Sequence, residues 1–337
     1  MGEMHLNNAW RDLAGRISKE IVMVIGRVDT GKSTLIKFLA CKLNAAIVDA
    51  DIGQSDVGPP TVVSLGRKRG EKLEMVDGYF VGSTTPARHL LQMVVGAKKM
   101  VERAPKPCII NTTGLVDGPI GRALKTQKIE AVRPNLLILM ERDRELDYYR
   151  CFENVGIEIV RLQVSPEVEA KSKADRKRER ERAFKAHFAG ARNFKIELAN
   201  YGLERTLLGS GVLMNLTEAS NALGCRVLRA ERIGQEVLAV VEGRVLDLEG
   251  ACSSLSASHI EIADRNAFEN LLVGLVDHSS NFLGLGILHG FNWEDFCCNI
   301  YTKVQGFANI QFGSLKLSLD CVEKGWLNTL HYALIDW

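Results

Sequence analysis

A chain of 337 residues is longer than one average domain, so two domains are expected, together large enough to bury a core without disulfide or metal staples. Apolar residues make up 46% and charged residues 25%, as in an ordinary soluble globular protein, and the formal net charge is only +2. That balance does not by itself announce a nucleic-acid partner, so any basic surface has to come from local clustering. The eight cysteines (Cys41, Cys108, Cys151, Cys225, Cys252, Cys297, Cys298 and Cys321) include no C-x-x-C pair and no Cys/His set with metal-ligand spacing. They read as reduced thiols of an intracellular protein. No apolar run reaches about 18 residues, and the first twenty residues, with Glu3, Arg11, Asp12 and Arg16, lack a signal-peptide core. A cytoplasmic protein without membrane contact is expected.

After an N-terminal extension over 1–20, short apolar runs alternate with helical patterns. Residues 21–25 read as a strand, followed by a glycine-rich turn, a helix over 32–43 and a second strand over 45–51. Residues 75–82 give a third strand or a hairpin edge, 86–103 a helix, and 107–113, 136–140 and 157–163 further strands. Nearly continuous apolar strands alternating with helices predict a parallel sheet covered on both faces, with ligands at the carboxyl ends of its strands. Between residues 165 and 190 the pattern becomes a charged helix, started by Ser165-Pro166-Glu167 and stopped by Gly190. From residue 206 to 337 the reading is β-rich, with strands near 227–229, 237–245, 260–262, 271–276, 282–288, 298–302 and 314–319. The predicted organisation is an α/β domain over 21–205, with its charged helix at about 165–190, and a smaller β-rich domain, a barrel or sandwich, over 206–337.

Gly26-Arg27-Val28-Asp29-Thr30-Gly31-Lys32-Ser33 matches G-x-x-x-x-G-K-[ST] without substitution, after an apolar strand and before a helix. Such a loop turns consecutive backbone N–H groups inward as an anion nest, and the helix N-terminus adds partial positive charge. Gly26, Val28, Asp29, Thr30, Gly31, Lys32, Ser33 and Thr34 are therefore the candidate contacts of a nucleoside triphosphate. Lys32 would reach the β- and γ-phosphates and the Ser33 hydroxyl would ligate Mg²⁺. The sequence carries no N-K-x-D guanine-reading element, which disfavours a GTPase.

Asp49-Ala50-Asp51-Ile52-Gly53-Gln54 ends the second strand. The period of two places Asp49 and Asp51 on one side, with Asp51 nearest the γ-phosphate. A carboxylate there can hold a magnesium-bound water and accept a proton from an attacking hydroxyl, with Gln54 placed to orient that acceptor. On the charged helix Arg176, Arg180, Phe184 and Phe188 recur every four residues as one ridge. The phenylalanines are expected to anchor the helix on the core, and the arginines to neutralise charge on the transferring phosphoryl group. Arg178 is the alternative to Arg176 as the first of the two. Arg88 and His89, at the start of the helix after Pro86, are candidates for a substrate phosphate, and Thr84 for a hydrogen bond nearby. Arg122, Lys125 and Lys128, three residues apart, are candidates for a basic edge, and His187 and His259 read as structural.

Together these residues resemble the polynucleotide 5′-hydroxyl kinase family of RNA processing. This family of P-loop kinases is related to the kinase-like subunit of the pre-mRNA cleavage factor and to the ribosomal-RNA-processing kinases; this chain looks like its compact prokaryotic form. The family's D-x-D-x-G-Q Walker B element is matched in full by Asp49 to Gln54, and its R-x-x-x-R lid by Arg176 to Arg180. Its T-x-G-W clasp is matched at three of four positions by Thr112-Thr113-Gly114-Leu115, where Leu115 replaces the tryptophan. The resemblance, closest over 20–195, implies a P-loop NTPase kinase core with a parallel sheet and a helical lid. It further implies ATP and Mg²⁺ as cofactors, Asp51 as general base and magnesium-water holder, and Lys32 as phosphoryl stabiliser. Thr112, Thr113 and Gly114 would clasp the triphosphate. The implied reaction is in-line phosphoryl transfer to the 5′-hydroxyl end of RNA or DNA. Two other readings stand beside it: a non-catalytic ATP-bound scaffold in an RNA-processing complex, and a small-metabolite P-loop kinase. Lys32, Asp51, Arg176 and Arg180 together weigh against the scaffold, which has no need of all four.

Overall fold

The computed structural model describes residues 8–70, 72–166 and 168–327. The chain divides into two compact units between His187 and Phe188. The first contains α1 (Asn8–Arg16), β1 (Ile21–Gly26), α2 (Lys32–Leu43), β2 (Ala46–Ala50), β3 (Val62–Arg69), β4 (Lys72–Phe80), α3 (Leu90–Arg103), β5 (Cys108–Thr112), α4 (Gly118–Val132), β6 (Leu136–Glu141) and β7 (Glu158–Gln163). The helix α5 (Lys173–Phe188) runs to the division. One sheet has the order β4-β3-β2-β5-β1-β6-β7. Its five strands from β2 to β7 are parallel, and the β3–β4 hairpin joins antiparallel at the β2 edge.

The inner strands read as apolar runs because neither face meets water: β2, β5 and β6 are buried along their whole length. Met23, Ile25, Val48, Ile110 and Leu139 pack on one face with Met93, Ala97, Leu124 and Ile129 of α3 and α4. Val22, Val24, Ile47, Ile109 and Ile138 pack on the other with Leu13 of α1 and Leu35, Ile36 and Leu39 of α2. Truncating a fully buried leucine such as Leu39 to alanine costs about 2–5 kcal/mol at such a site. No described helix is long and apolar enough to cross a membrane.

Several elements differ from the sequence expectations for identifiable reasons. The strand near 75–82 is the second arm of a hairpin whose first arm, β3, follows an irregular stretch. The helix expected from residue 86 begins only at Leu90, because Arg88 adopts a left-handed φ of 64° just before it. The charged helix is confined to Lys173–Phe188. Lys125 and Lys128 do not form a basic edge: both are fully buried on the α4 stripe that includes Leu124, Ile129 and Val132. Arg122 alone of the three is exposed, its guanidinium 5.7 Å from the ring centroid of Tyr148. Phe184 is buried, but Phe188 falls in the second unit, where its ring stacks on Tyr301 at 5.7 Å.

The second unit starts well before residue 206, because β8 (Arg192–Glu197) is already a paired strand of its sheet. It continues through β9 (Gly202–Glu204), β10 (Val212–Leu213), α6 (Leu216–Leu223), β11 (Arg226–Ile233), β12 (Glu236–Glu242), α7 (Leu248–Ser254) and β13 (His259–Asp264). It ends with β14 (Leu271–Val276), β15 (Phe282–Asn292), β16 (Cys297–Thr302), β17 (Asn309–Leu317) and β18 (Glu323–Trp326). A four-stranded sheet has the order β10-β11-β12-β13, and a second runs β18-β17-β14-β15-β16-β8, with β9 paired to β17. Alternate residues of β12 explain its unbroken apolar run. Val237, Ala239 and Val241 pack with α6 and α7, whereas Leu238 and Val240 face the other sheet beside Leu271, Val273 and Phe312. The β-rich character expected of this region holds, with a parallel β12–α7–β13 crossover inside it.

Candidate active site

The strand order sets β5 between β2 and β1, so three adjacent strands end at one edge of the first sheet. There a cavity of about 550 Å³ is bounded by the loop after β1, the loop after β2, residues at the end of β5 and the first half of α5.

β1 leads through its loop into α2. Asp29 and Gly31 both adopt left-handed backbone, at φ 55° and 82°, a conformation natural to glycine but uncommon for aspartate. Arg142, just beyond β6, donates to the Asp29 carbonyl at 2.9 Å and braces that turn. No side chain caps α2, so its first backbone N–H groups are left to a ligand where Gly31, Lys32, Ser33 and Thr34 line the cavity. Lys32 is 7% exposed and folds back over the loop, its Nζ donating to the Gly26 carbonyl at 2.9 Å and the Arg27 carbonyl at 2.5 Å. Burial pushes this ammonium down to about 8, opposed by the charges of Asp51 and Asp29.

The two acids at the end of β2 occupy different surroundings. Asp49 is fully buried, and its carboxylate accepts from Asp51 N (3.1 Å), Ser55 Oγ (3.1 Å), Asp56 N (2.7 Å), Val57 N (3.1 Å) and Asn111 Nδ2 (2.9 Å). Burial and the charges of Asp51 and Asp56 push it up to about 7, against the pull of the backbone donors. Asp51 is half-buried and lines the cavity; its Oδ1 accepts from Gly53 N at 3.2 Å and Gln54 N at 3.1 Å, which fixes the carboxylate's direction. Gln54 Nε2 donates to the carbonyls of Gly53 (2.6 Å) and Arg176 (3.3 Å), so it ties the acidic loop to α5.

On α5, Arg176 and Arg180 line the cavity, whereas Arg178 is exposed and paired with Asp175. Of the two alternatives, Arg176 is the one that lines the cavity. Its guanidinium pairs with Asp29 of the phosphate loop, which also accepts from Lys171 N at 3.2 Å.

The structure gathers Val28, Asp29, Thr30, Gly31, Lys32, Ser33, Thr34, Asp51, Gln54, Thr84, Gly114, Arg176 and Arg180 around this one cavity. Five sequence-predicted positions, Gly26, Thr112, Thr113, Arg88 and His89, are not among its lining residues. Thr112 is buried and spends its hydroxyl on the Val24 carbonyl at 2.8 Å. Thr113 is buried too, its carbonyl and Oγ1 accepting from Lys125 Nζ at 2.6 and 2.9 Å. Arg88 is exposed. The β5 residue that does reach the cavity is Asn111, which sequence reasoning placed only in a family-like segment. In the structure it is the register partner of Asp49, a pairing across the sheet that no local pattern announces.

A family model described as mRNA cleavage and polyadenylation factor CLP1 P-loop matches residues 26–190. The chain is 31% identical to a polyribonucleotide 5′-hydroxyl-kinase of Pyrococcus abyssi over 91% of its length and 90% of the relative's, and 32% identical to one of Pyrococcus furiosus at the same coverage. A CLP1 homologue of Arabidopsis thaliana is 28% identical over 55% of this chain and 45% of its own. Among solved structures, wild-type Clp1p in its complex with Pcf11p shares the fold with a TM-score of 0.61 at 10% identity, covering 93% of this chain and 80% of that one. The chain belongs to the CLP1 P-loop family, together with the archaeal polyribonucleotide 5′-hydroxyl kinases.

Proposed function

We propose that this protein transfers the γ-phosphoryl group of ATP to the 5′-hydroxyl end of RNA or DNA. The observation that carries the reading is the one cavity lined by Val28 to Ser33 of the phosphate loop, the Asp51 carboxylate and two arginines of α5. The names of the archaeal relatives point to a polyribonucleotide acceptor.

The loop's backbone N–H groups and Lys32 bind the triphosphate, and Lys32 exchanges its contacts with the loop carbonyls for phosphate oxygens. The Ser33 hydroxyl and the Asp51 carboxylate, both lining the cavity, offer hard oxygen donors, a chemistry that fits Mg²⁺. When bound, Mg²⁺ supplies charge neutralisation of the phosphate oxygens. Asp51, directed by the two backbone donors on its Oδ1, accepts the proton of the acceptor hydroxyl. The new bond joins the acceptor oxygen to the γ-phosphorus in line with the breaking bond to the bridging oxygen, and ADP leaves. Arg176 and Arg180 neutralise the charge on the equatorial oxygens, for which Arg176 must leave Asp29.

Transfer of labelled γ-phosphate to matched 5′-hydroxyl RNA and DNA oligonucleotides tests the reading. Asp51→Asn is expected to lower kcat by about 10²–10⁴-fold with little change in ATP affinity. Lys32→Ala should weaken nucleotide binding itself. Failure of the wild type to phosphorylate either oligonucleotide, or faster phosphorylation of a free nucleoside in competition, overturns the proposal.

A further inference from the structure

Asn111 lies in β5, between the strand that feeds the phosphate loop and the strand that ends in the two acids, and lines the same cavity as Ser33 and Asp51. It is 3% exposed. Its Nδ2 donates to Asp49 Oδ1 at 2.9 Å, the orientation that matches Asp49 as an acceptor of backbone N–H groups on both of its oxygens. Its Oδ1 is buried and has no hydrogen-bond partner among the described residues.

A buried amide oxygen left unpaired costs about 1–3 kcal/mol, a cost that valine or isoleucine at the same strand position would not carry. A donor that arrives with the ligand accounts for it. The orientation is rigid, because Asp49 is itself held by backbone donors from Asp51, Asp56 and Val57 and by the Ser55 hydroxyl. Asp49 therefore serves as the anchor of the amide rather than as a group facing the ligand. The donor that fits is water. Mg²⁺ dehydrates reluctantly and keeps several waters whose hydrogens need acceptors, and Ser33 and Asp51, the oxygen groups that suit the cation, line the same cavity.

We infer that Asn111 Oδ1 accepts a hydrogen bond from a water in the coordination shell of the Mg²⁺ that accompanies the triphosphate, with Asp49 as the residue that orients it. This rests on the nucleotide-binding reading above.

The test titrates Mn²⁺ into the full chain complexed with a non-hydrolysable ATP analogue, following free Mn²⁺ by electron paramagnetic resonance. Asn111→Ala is expected to weaken Mn²⁺ binding by about 10–100-fold while leaving the affinity for the analogue in EDTA unchanged. Unchanged Mn²⁺ affinity overturns the inference. A loss confined to KM for the 5′-hydroxyl oligonucleotide also overturns it, because that would assign the amide to the acceptor. If Asn111→Ala does not fold, Asn111→Ser takes its place, and the same results support or overturn the role of the amide. Lys32→Ala separates this inference from its premise. If Lys32→Ala leaves analogue affinity in EDTA unchanged, the nucleotide cradle is wrong. If it weakens that affinity while Asn111→Ala leaves Mn²⁺ binding intact, only the role of Asn111 falls.

Discussion

Gly114 is where the turn after β5 meets the phosphate loop. A Cβ built there would lie 2.6 Å from Val28 N and 2.9 Å from Val28 Cα, both main-chain atoms that no rotamer change can move aside. Ordinary contacts between such atoms begin near 3.5 Å, so Gly114→Ala has to part the two segments by roughly 0.5–1 Å. Overpacking of this kind costs about 1–3 kcal/mol of stability, and a displacement of about 1 Å at reacting groups can cost about 10²-fold in rate. The expected result is a fall of roughly 10–100-fold in kcat/KM for ATP, with a melting temperature lower by only several degrees. Steady-state transfer to a 5′-hydroxyl oligonucleotide measures the first and calorimetry the second. Gly118→Ala is the control: its φ of 69° strains any side chain, but nothing lies within 4 Å of the added carbon, so stability falls while the loop stays in place. Gly114→Ala with kcat/KM within about twofold of wild type would refute the steric reasoning, as would an equal loss in Gly118→Ala.

Two further outcomes follow from Lys32 and Asp29. Lys32, pushed down to about 8, is protonated below that pH and increasingly neutral above it, whereas bound phosphate oxygens favour the charged form. Nucleotide binding at pH about 8.5–9 should therefore take up most of one proton, and little at pH about 7. Calorimetry in two buffers of different ionisation enthalpy reads the uptake; its absence in the wild type, or its persistence in the always-charged Lys32→Arg, contradicts the reasoning. Asp29→Asn removes the carboxylate that holds Arg176 and the Lys171 amide. A partly exposed charge-assisted contact of this kind is worth about 1 kcal/mol, so amides in the first turns of α5 should exchange about fivefold faster in hydrogen-exchange measurements, and unchanged protection counts against the latch.

The chemistry-bearing backbone of the site was legible because strand, loop and helix each left a local signal. The phosphate loop, Asp51 and Arg176 depend on spacing within short segments, and the structure places them on one cavity. What was not legible depends on orientation across the sheet. Thr112 and Thr113 match a motif, yet their side chains turn to the Val24 carbonyl and to Lys125, partners 88 and 12 residues away. Lys125 and Lys128 read as a solvated edge because lysine is rarely buried; only the position of α4 against the sheet shows that their side faces the core. Arg88 precedes α3 with a left-handed backbone that delays the start of the helix, a conformation that no residue type announces. In the second unit β8 was missed because an edge strand such as Arg192–Glu197, mostly exposed, has no apolar alternation to reveal it.

The register of β2 against β5 pairs Asp49 with Asn111 and Val48 with Ile110. Since neighbouring positions on a strand point to opposite faces, a slip of one residue would turn the aspartate toward α3 and α4 and bring a hydrocarbon against the amide. Such a chain could keep its seven strands and most of its apolar contacts and still be inert. Backbone ladder bonds within the sheet thus act as the ruler by which this enzyme measures its chemistry. Substitutions that loosen the β2–β5 pairing should erode turnover before they erode compactness.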